Sequence, residues 1–460
     1  MKNQESVLKH KPQAIIFRSF FLVILIGAIL FKLPIASAKA PLSGIDALFM
    51  STSAVCVTGL SIVDIGTDLT LFGQLVLLTL MQLGGLGIMT FSLLFLIFIG
   101  KKISLHFQMC IPDLFQDINL KNIRYCIFSI FIMTLLIESA GAFFLFLDLR
   151  NYHPVPFAVY SSIFHSISAF CNAGFSLYSD SFVRFNNNPY ILIVMMSLIV
   201  LGGLGFIVIY EIFRIITKRQ KPSVKTDISL HTKIALTGSF LFIIIGAVIV
   251  WILENQALLR NMPLSTQMLN SFFLSVTSRT AGFNTIHTSL LSNPTLLMVM
   301  FMMFVGACPG STGGGIKMHV FFTLIALLRN KLKGLEMASL FKRKIPPAAV
   351  DRAVTILISS FLVVFIAVFL LQLTENILIA HAEIPQAEEF LDTIFESISA
   401  FGTVGLSTGT TAHLSFGGKA IIIFLMFVGR IGALTLGIAL EMRQKDKITY
   451  EYPTEEIIVS

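Results

Sequence analysis

Charged side chains are scarce in this chain, and their scarcity excludes an ordinary soluble domain. Asp, Glu, Lys and Arg make up 13% of the 460 residues, whereas about 25% is usual in soluble domains. Hydrophobic residues make up 55%, and the mean hydropathy is +0.85. The composition therefore predicts a protein that crosses a membrane several times.

Tryptophan and clusters of reactive side chains are also scarce. The chain has one Trp beside 43 Phe, so anchoring at the membrane interface must rest on Tyr, Lys and Arg. The nine His are scattered, and the Cys have neither metal-ligand spacing nor a paired framework. The five cysteines are Cys56, Cys110, Cys126, Cys171 and Cys308. We therefore expect neither an enzyme nor an organic cofactor.

Positive charge, which gives a net +8, is concentrated in a few stretches. Of the 33 Lys and Arg, 24 lie in residues 1–18, 101–124, 214–233, 329–352 and 443–447. These stretches alternate with the apolar runs, and the positive-inside rule assigns them to the cytoplasm. The distribution of the positive charge therefore indicates the membrane topology, and it does not indicate a nucleic-acid partner. It predicts eight spans with both termini in the cytoplasm. The apolar runs place these spans at about 14–37, 69–99, 124–147, 189–213, 232–254, 292–328 (interrupted), 352–380 and 419–441.

One short pattern occurs four times, each time at the end of a half-polar helix pattern between two long apolar runs. The copies are Ser53–Leu60, Ser168–Phe175, Thr277–Phe283 and Ser399–Leu406, and their shared glycines lie 108 to 123 residues apart. The half-polar helices, predicted at about 45–55, 157–170, 264–278 and 387–401, are too short to span a bilayer and indicate re-entrant segments. A small-residue break follows each shared glycine after 24 to 28 residues, at Gly84, Gly202, Gly306 and Gly429.

The shared glycine and the small-residue break keep nearly the same spacing in all four copies. This regularity predicts an all-α polytopic membrane protein with four tandem helix–pore-loop–helix repeats around a central pore. This is a K⁺-channel-like, pseudo-fourfold arrangement. The predicted pore repeats are residues 14–100, 124–214, 232–328 and 352–441. Cytoplasmic loops 101–123, 215–231 and 329–351 separate them, with cytoplasmic termini at 1–13 and 442–460.

The glycine in each copy suits a ring of backbone carbonyls. Only glycine takes φ > 0 without steric cost, which turns its carbonyl towards the axis, and such rings replace the hydration shell of a monovalent cation. Glycine at all four positions favours K⁺ over Na⁺. The predicted selectivity filter, with K⁺ at its carbonyls, consists of Val57, Thr58, Gly59, Asn172, Ala173, Gly174, Thr280, Ala281, Gly282, Thr403, Val404 and Gly405.

Acidic residues follow the filter segments on the predicted outer side. They are Asp64, Asp68, Asp180, Glu383, Glu388 and Glu389. They would concentrate cations at the pore mouth, or they form only a solvated loop; the sequence leaves both interpretations open.

The inner apolar run of the third repeat is interrupted by a loop rich in glycine and proline, which cannot continue a helix cheaply. Irregular backbone at membrane depth must face protein or water, so we interpret this interrupting loop (residues 306–317) as a gate. Its spacing does not match a phosphate-binding Gly-x-x-x-x-Gly-Lys-Ser/Thr loop. The gate residues are Gly306, Ala307, Cys308, Pro309, Gly310, Ser311, Thr312, Gly313, Gly314, Gly315 and Lys317, with Arg430 facing them.

Arg430 stands where the first two repeats have Gly85 and Gly203. An unpaired Arg at mid-bilayer costs at least about 2.5 kcal/mol, so it must face a cavity or a partner. We predict that it bonds to carbonyls of the interrupting loop and holds the pore shut, the alternative being a purely structural contact. Lys317 is expected to snorkel, to face the cytoplasm or to anchor the loop. Arg279 is expected to buttress the third filter segment.

With these residues identified, the chain resembles the superfamily of K⁺ transporters that contains the Trk, Ktr and plant HKT proteins. The resemblance extends over about residues 14–460 and is most specific in the filter segments, residues 306–317 and Arg430. Without extra spanning helices before the first repeat, and with its tail at 450–456, the chain is most similar to the KtrB-type membrane subunits of bacterial Ktr systems.

The resemblance implies K⁺ uptake across the bacterial plasma membrane, often assisted by Na⁺. It implies a homodimer seated on a cytoplasmic octameric KtrA-type ring that binds ATP and ADP, and a gate formed by residues 306–315 with Arg430. Gly59 stands where one HKT subgroup has Ser, which places the chain on the K⁺ side. Val57 and Asn172 depart from the Thr of the fourth filter segment. The basic segments 214–233 and 329–352 are expected to meet the ring or anionic membrane lipids.

A secondary transporter with alternating access is the main competing interpretation. It would require an inverted repeat and mid-membrane carboxylates. The repeat here is parallel, and neither Glu138 nor Glu254 has a partner that the sequence identifies.

Overall fold

The computed structural model describes residues 12–87, 120–216, 228–335, 337–379 and 386–432, and these form four similar units. Repeat 1 contains α1 (Pro12–Lys32), α2 (Gly44–Cys56), α3 (Ile65–Asp68) and α4 (Leu71–Leu86). Repeat 2 contains α5 (Leu120–Leu149), α6 (Val155–Phe170), α7 (Pro189–Leu204) and α8 (Phe206–Ile216).

Repeat 3 contains α9 (Leu230–Glu254), α10 (Leu264–Thr277), α11 (Asn293–Phe304) and α12 (Met318–Leu332). A two-residue hairpin follows, with β1 (Ser339–Leu340) antiparallel to β2 (Arg343–Lys344). Repeat 4 contains α13 (Pro347–Ile379), α14 (Gln386–Gly402) and α15 (Phe416–Ile431). Short 3₁₀ turns lie at Pro34–Ala36, Val183–Phe185, Thr288–Leu290 and Thr410–His413.

In each repeat a long outer helix and an inner helix flank a short helix, and the short helix is largely buried. The observed short helices α2, α6, α10 and α14 begin and end within two residues of the predicted half-polar segments. Outer helices instead expose apolar side chains, such as Phe240 at 64% and Phe361 at 65%. An apolar exterior around a hydroxyl-rich interior is the arrangement expected of a chain solvated by lipid.

Three of the described helices, in α5, α9 and α13, are long and apolar enough to cross a membrane alone, and α7 with α8 forms a bent pair that qualifies together. The predicted spans at about 69–99 and 419–441 run beyond the described residues, so the number eight stays a prediction.

The prediction of one continuous helix over about 189–213 is wrong. The chain turns by 98° between α7 and α8, at Gly205 with φ +94. The freed amide of Phe206 donates to Gly310 O at 3.0 Å, in the interrupting loop of the next repeat. Inner helices α4 and α15 end at the equivalent glycines, Gly87 and Gly432, with φ +79 and +93.

Small residues let the three helices of a repeat interlock. A serine of the short helix donates to an outer-helix carbonyl in three repeats: Ser51 to Ile24 O at 2.7 Å, Ser166 to Glu138 O at 2.7 Å and Ser275 to Ile243 O at 2.8 Å. Gly27, Gly141 and Gly246 lie beside these serines, and a Cβ on any of them would meet the serine oxygen. The short helix is therefore fixed against the outer helix by its own hydroxyl.

An acidic strap joins the outer helix to the start of the inner helix in three repeats. Asn188 Nδ2 donates to Asp148 Oδ2 at 2.5 Å, Ser292 Oγ to Glu254 Oε1 at 2.7 Å, and Ser415 Oγ to Glu375 Oε1 at 2.6 Å. The paired residues are 40, 38 and 40 positions apart. Glu254, whose partner could not be identified in the sequence, is therefore a strap residue.

Repeat 4 packs back against repeat 1 and closes the assembly. Helix α15 contacts α2, and Lys419 Nζ on α15 lies 2.7 Å from Asp46 Oδ1 on α2. The first and last repeats are therefore neighbours, which places the four short helices around one axis.

Candidate functional site

The four shared glycines all have left-handed backbone. Their φ angles are +91, +70, +78 and +90 at Gly59, Gly174, Gly282 and Gly405. The residues two positions earlier are left-handed as well, with +57, +55, +75 and +49 at Val57, Asn172, Thr280 and Thr403. Left-handed backbone at a non-glycine residue costs about 1–3 kcal/mol. Its recurrence at four equivalent positions indicates a shared structural demand.

The segments that carry the shared glycines, called here loops 1 to 4 after their repeats, meet through these glycines. A Cβ added to Gly59 would lie 2.5 Å from Ala173 O, and one added to Gly174 would lie 2.7 Å from Ala281 O. Each glycine Cα therefore abuts the carbonyl that precedes the glycine of the next loop, and no larger residue fits there.

The same contact continues around to the first loop. A Cβ on Gly282 would meet Val404 O, and one on Gly405 would meet Thr58 O, both inside van der Waals distance. The order of contacts is 1–2–3–4–1. The four segments thus form a closed ring, called here the glycine ring, with four backbone carbonyls along its contacts.

Hydroxyl groups of the short helices hold the chain leaving the ring. Ser53 Oγ donates to Leu60 O at 2.7 Å, Ser168 Oγ to Phe175 O at 2.8 Å, Thr277 Oγ1 to Phe283 O at 2.9 Å, and Gly405 N donates to Ser399 Oγ at 3.1 Å. These hydroxyls provide hydrogen-bond partners for buried backbone groups that have no access to water.

Two polar residues of the short helices, His165 and Glu396, support the ring from behind. His165 Nε2 accepts from Leu177 N at 3.2 Å while Nδ1 lies 2.8 Å from Ser161 O. Glu396 accepts from Thr408 N at 3.2 Å and also from two hydroxyls beyond the fourth loop. Both side chains therefore brace the segments that follow the glycines.

Arg279 precedes the third ring segment and lies behind it. Its side chain is 5% exposed, and Nη2 donates to Ser239 Oγ on α9 at 3.0 Å. The contact ties the third ring segment to its outer helix, as a buttress requires.

A cavity of about 430 Å³ opens on one side of the glycine ring and is lined by all four glycines. Asp64 and Asp68 line it too. Lys39 Nζ lies 2.6 Å from Asp68, and this hydrogen bond holds the pKa of the Asp68 carboxyl below its ordinary value. Asp180 pairs with Arg184 at 2.7 Å. Glu383 and the side chains of Glu388 and Glu389 lie outside the described residues.

The interrupting loop lies on the opposite side of the ring. Gly314 N donates to Thr403 Oγ1 at 2.9 Å, and a Cβ on Gly313 would clash with the Thr280 hydroxyl. Val305 and Ile316 form a parallel bridge at its base. The predicted gate residues therefore lie directly beneath the ring, opposite the cavity.

The loop is bonded to repeats 2 and 4 through backbone groups. Cys308 N donates to Gly203 O at 3.1 Å, and Gly315 N donates to Gly429 O at 3.2 Å. Thr312 Oγ1 lies 3.3 Å from Phe170 O, at the end of the second short helix. The backbone carbonyls that accept these bonds therefore belong to glycines at the inner-helix breaks of repeats 2 and 4.

Lys317 anchors the loop to itself, which was one of the three outcomes expected for it. Its Nζ donates to Gly313 O at 2.5 Å and lies 3.4 Å from Gly314 O. The side chain is only half-buried, and its ammonium ties the end of the loop to the loop's own backbone.

Arg430 joins three repeats. Its Nη1 donates to Thr312 O in the interrupting loop, and its Nη2 donates to Gly84 O at the end of α4. The guanidinium therefore bridges the loop to repeats 1 and 4. A planar fork can satisfy two carbonyls at once, which an ammonium cannot do in the same way.

Two cross-repeat contacts near the ring are not visible in the sequence. Asn172 Oδ1 accepts from Thr280 Oγ1 at 3.3 Å, which links the ring segments of repeats 2 and 3. Glu138 is 6% exposed and accepts from Gln82 Nε2 at 3.1 Å, beside Cys171. The sequence shows that Glu138 lies within a helix, but it does not show that Gln82 of α4 contacts its carboxyl group.

Comparison with known proteins gives relatives over nearly the full chain. The family model of TrkH, described as cation transport protein, matches residues 3–449. Ktr system potassium uptake protein B of Bacillus subtilis (strain 168) is 36% identical over 96% of both chains. The protein of that name from Vibrio alginolyticus is 38% identical over 96% of this chain and 94% of its own. Potassium/sodium uptake protein NtpJ of Enterococcus hirae is 35% identical over 97% of both.

The fold also matches a solved structure. The crystal structure of the potassium transporter TrkH from Vibrio parahaemolyticus matches 92% of this chain and 84% of its own, with a TM-score of 0.69 at 19% identity. This likeness concerns the fold, and it confirms the predicted all-α membrane architecture of four repeats. With the family match over nearly the whole length, the chain belongs to the TrkH family of cation transport proteins, which are transporters and not enzymes.

Proposed function

We propose that this chain is the ion-conducting membrane subunit of a K⁺ uptake system. The observation that carries the proposal is the closed glycine ring, in which four left-handed glycines each abut the carbonyl of the next loop. A ring of fixed carbonyls can replace the water shell of a dehydrated monovalent cation. The names of the B. subtilis and V. alginolyticus relatives support K⁺ as that cation.

The selectivity filter in this proposal consists of the twelve residues of the glycine ring. K⁺ enters from the cavity that the four glycines line and binds at the ring carbonyls. Na⁺ either assists uptake or passes as well, in line with the potassium/sodium name of the E. hirae relative.

The interrupting loop and Arg430 form the gate. The loop lies under the ring against Thr280 and Thr403, and Arg430 bonds it to repeats 1 and 4. A half-buried guanidinium beneath a cation path repels cations and fixes loop carbonyls at the same time. Release of these bonds would let the loop move aside.

Control comes from a cytoplasmic partner. The chain works as a homodimer on a KtrA-type octameric ring that binds ATP and ADP, in the bacterial plasma membrane with both termini in the cytoplasm. The basic segments 214–233 and 329–352 contact the ring, anionic membrane lipids or both. The Ktr-system names of two relatives support a multi-component system.

The test is K⁺ uptake in a bacterial strain that lacks its own K⁺ transporters, with the chain expressed alone or with a KtrA-type partner. We expect growth at limiting K⁺ only with the partner. Arg430→Ala should then raise uptake, because the loop loses bonds to two repeats. An absence of K⁺ uptake in both conditions, with the protein confirmed in the membrane, would overturn the proposal, and Na⁺ flux would be measured next.

A further inference from the structure

A narrow apolar groove of about 240 Å³ lies where the broken inner helix of repeat 3 meets the outer helix of repeat 4. Phe301 on α11, Ile325 and Leu328 on α12, and Leu357 on α13 form its walls. Ile325 is 41% exposed and Leu328 62%. The groove therefore faces the outside of the chain, where lipid is the solvent.

The floor of this groove belongs to the interrupting loop. Val305 and Ile316, which pair as the bridge at the base of the loop, both line the groove. The neighbouring Phe304 lies with its ring 6.1 Å from that of Phe401, near the end of α14. A molecule in the groove would thus touch the two ends of the loop that lies under the glycine ring.

Basic side chains continue the groove wall at the end of α12. Arg329 follows Ile325 by four residues and Lys333 follows Arg329 by four, so the three lie in one row along the helix and its C-cap. Arg329 and Lys333 are both exposed. Neither forms an ion pair with any carboxylate of the described residues. An apolar groove whose wall helix continues into two exposed basic side chains has the polarity of an anionic phospholipid, with its acyl chain and its phosphate.

Two other apolar grooves on the surface differ from this one. One of about 460 Å³ is lined by residues of α7, α9 and α10, including Ile193, and one of about 450 Å³ lies between α1 and α4. Neither lining contains a residue of the interrupting loop, and no helix that lines them continues into two exposed basic side chains at four-residue spacing within the described residues. They serve as controls, because they offer a larger apolar space without that basic row.

We propose that the groove between α11, α12 and α13 binds one anionic phospholipid, with an acyl chain along Phe301, Ile325 and Leu357 and the phosphate at Arg329 and Lys333. The bound chain packs on the base of the interrupting loop and steadies it. The binding itself is independent of the transported ion; only the effect on the loop rests on the proposed function.

The single Trp of the chain makes binding directly measurable. In a Trp251→Phe background, Leu357→Trp places the only indole in the groove, and brominated lipids quench an indole that they touch. Vesicles contain both phosphatidylcholine and phosphatidylglycerol, with the bromine on only one of the two lipids. Comparing the quenching in the two cases gives the binding constant of phosphatidylglycerol relative to phosphatidylcholine. We expect phosphatidylglycerol to be preferred at least about threefold by the Leu357→Trp variant, as two basic groups near an anionic headgroup warrant.

The charge-removing variant Arg329→Gln/Lys333→Gln should bring that preference to about one, while quenching by either lipid persists. Ile193→Trp in the same Trp251→Phe background reports on the control groove and should show no preference. Equal anionic preference in the two indole variants would mean a general surface effect and would overturn the proposal. A Leu357→Trp indole that no lipid quenches, beside normal quenching in Ile193→Trp, would mean that a second protein copy covers the groove, which also overturns it.

A flux assay separates this inference from the proposed function. If the chain conducts K⁺, flux in vesicles should rise with the phosphatidylglycerol fraction, and the charge-removing variant should lose that dependence. If no flux is seen in any lipid, the proposed function fails while the quenching result still decides whether the lipid binds.

Discussion

At the scale of single residues, the site depends on atoms that are absent. The ring glycines have no Cβ, and an added one would displace a carbonyl of the neighbouring loop. The pattern of four glycines is visible in the sequence because the requirement is local to the backbone. For Arg430 the sequence predicts the interrupting loop as a partner, to which Thr312 belongs, but it does not reveal Gly84, which lies 346 residues away.

Gly282→Ala should reduce K⁺ uptake at least about tenfold, or reduce its preference over Na⁺ by a similar factor. The new methyl would meet Val404 O in addition to the left-handed strain at φ +78. Uptake of K⁺ and Na⁺ in transporter-deficient cells measures both quantities. Gly409→Ala is the matched control, because Gly409 has φ +111 with open space around it. It adds only the strain of about 1–2 kcal/mol and should leave selectivity unchanged.

Arg430→Lys should give K⁺ uptake between that of the native chain and that of Arg430→Ala. Lysine keeps the positive charge beneath the ring but loses the planar fork that bonds to Thr312 O and Gly84 O together. Initial uptake rates at matched expression measure the order. Equal rates for Lys and Arg would show that charge alone closes the pore and that the carbonyl bonds are dispensable.

At the scale of elements, each repeat combines a feature that its sequence predicts with one that it does not. The short helices were predictable to within two residues, because their length and half-polar character are local properties. The 98° turn at Gly205 was not, since a glycine in an apolar run also serves close helix packing. The turn depends on Gly310 of the next repeat, which accepts the amide of Phe206.

The acidic straps are expected to stabilise the outer and inner helices against separation. Glu254→Gln should lower the free energy of unfolding by about 1–3 kcal/mol, because a carboxylate that accepts from Ser292 N, at 3.0 Å, and from Ser292 Oγ is replaced by an amide. Thermal unfolding of the detergent-solubilised protein measures the loss. Asp351→Asn, an exposed carboxylate at the start of α13, should leave the unfolding temperature unchanged; an equal shift in both variants would contradict the strap.

At the scale of the whole molecule, acidic side chains line the cavity from which K⁺ is proposed to enter. Asp64 lines this cavity and caps α3 through Gly66 N and Thr67 N. Asp64→Asn should keep the cap, because Asn caps as well as Asp, and remove the charge. We expect an apparent K⁺ affinity about two- to fivefold weaker at low ionic strength, an effect that high salt abolishes by screening.

Asp180→Asn is the control for this charge effect, because Arg184 already neutralises Asp180 at 2.7 Å. It should change affinity less than Asp64→Asn does. Loss of affinity that persists at high salt would point to altered structure in place of electrostatics.

The second cavity carboxylate fixes the expected pH dependence. The hydrogen bond from Lys39 lowers the pKa of Asp68 from its ordinary value of 3.8. Its stabilising contribution is therefore complete above pH 3.8 and is lost as the pH falls through the lowered value. Between neutral pH and about pH 5, titration of Asp68 should change neither K⁺ affinity nor thermal stability. Lys39→Gln removes the hydrogen bond, so any loss of affinity or stability in acid should then begin at a higher pH.

The closure of repeat 4 onto repeat 1 has a consequence for biosynthesis. Lys419 and Asp46 are 373 residues apart, so the contact that joins repeat 4 to repeat 1 cannot form until nearly the whole chain has left the ribosome. A nascent chain with three inserted repeats holds an open arc of carbonyls and lacks Arg430. In the proposed function, the ion path and its gate are therefore completed in the same final step, and a partly made chain has no finished ring through which cations could leak.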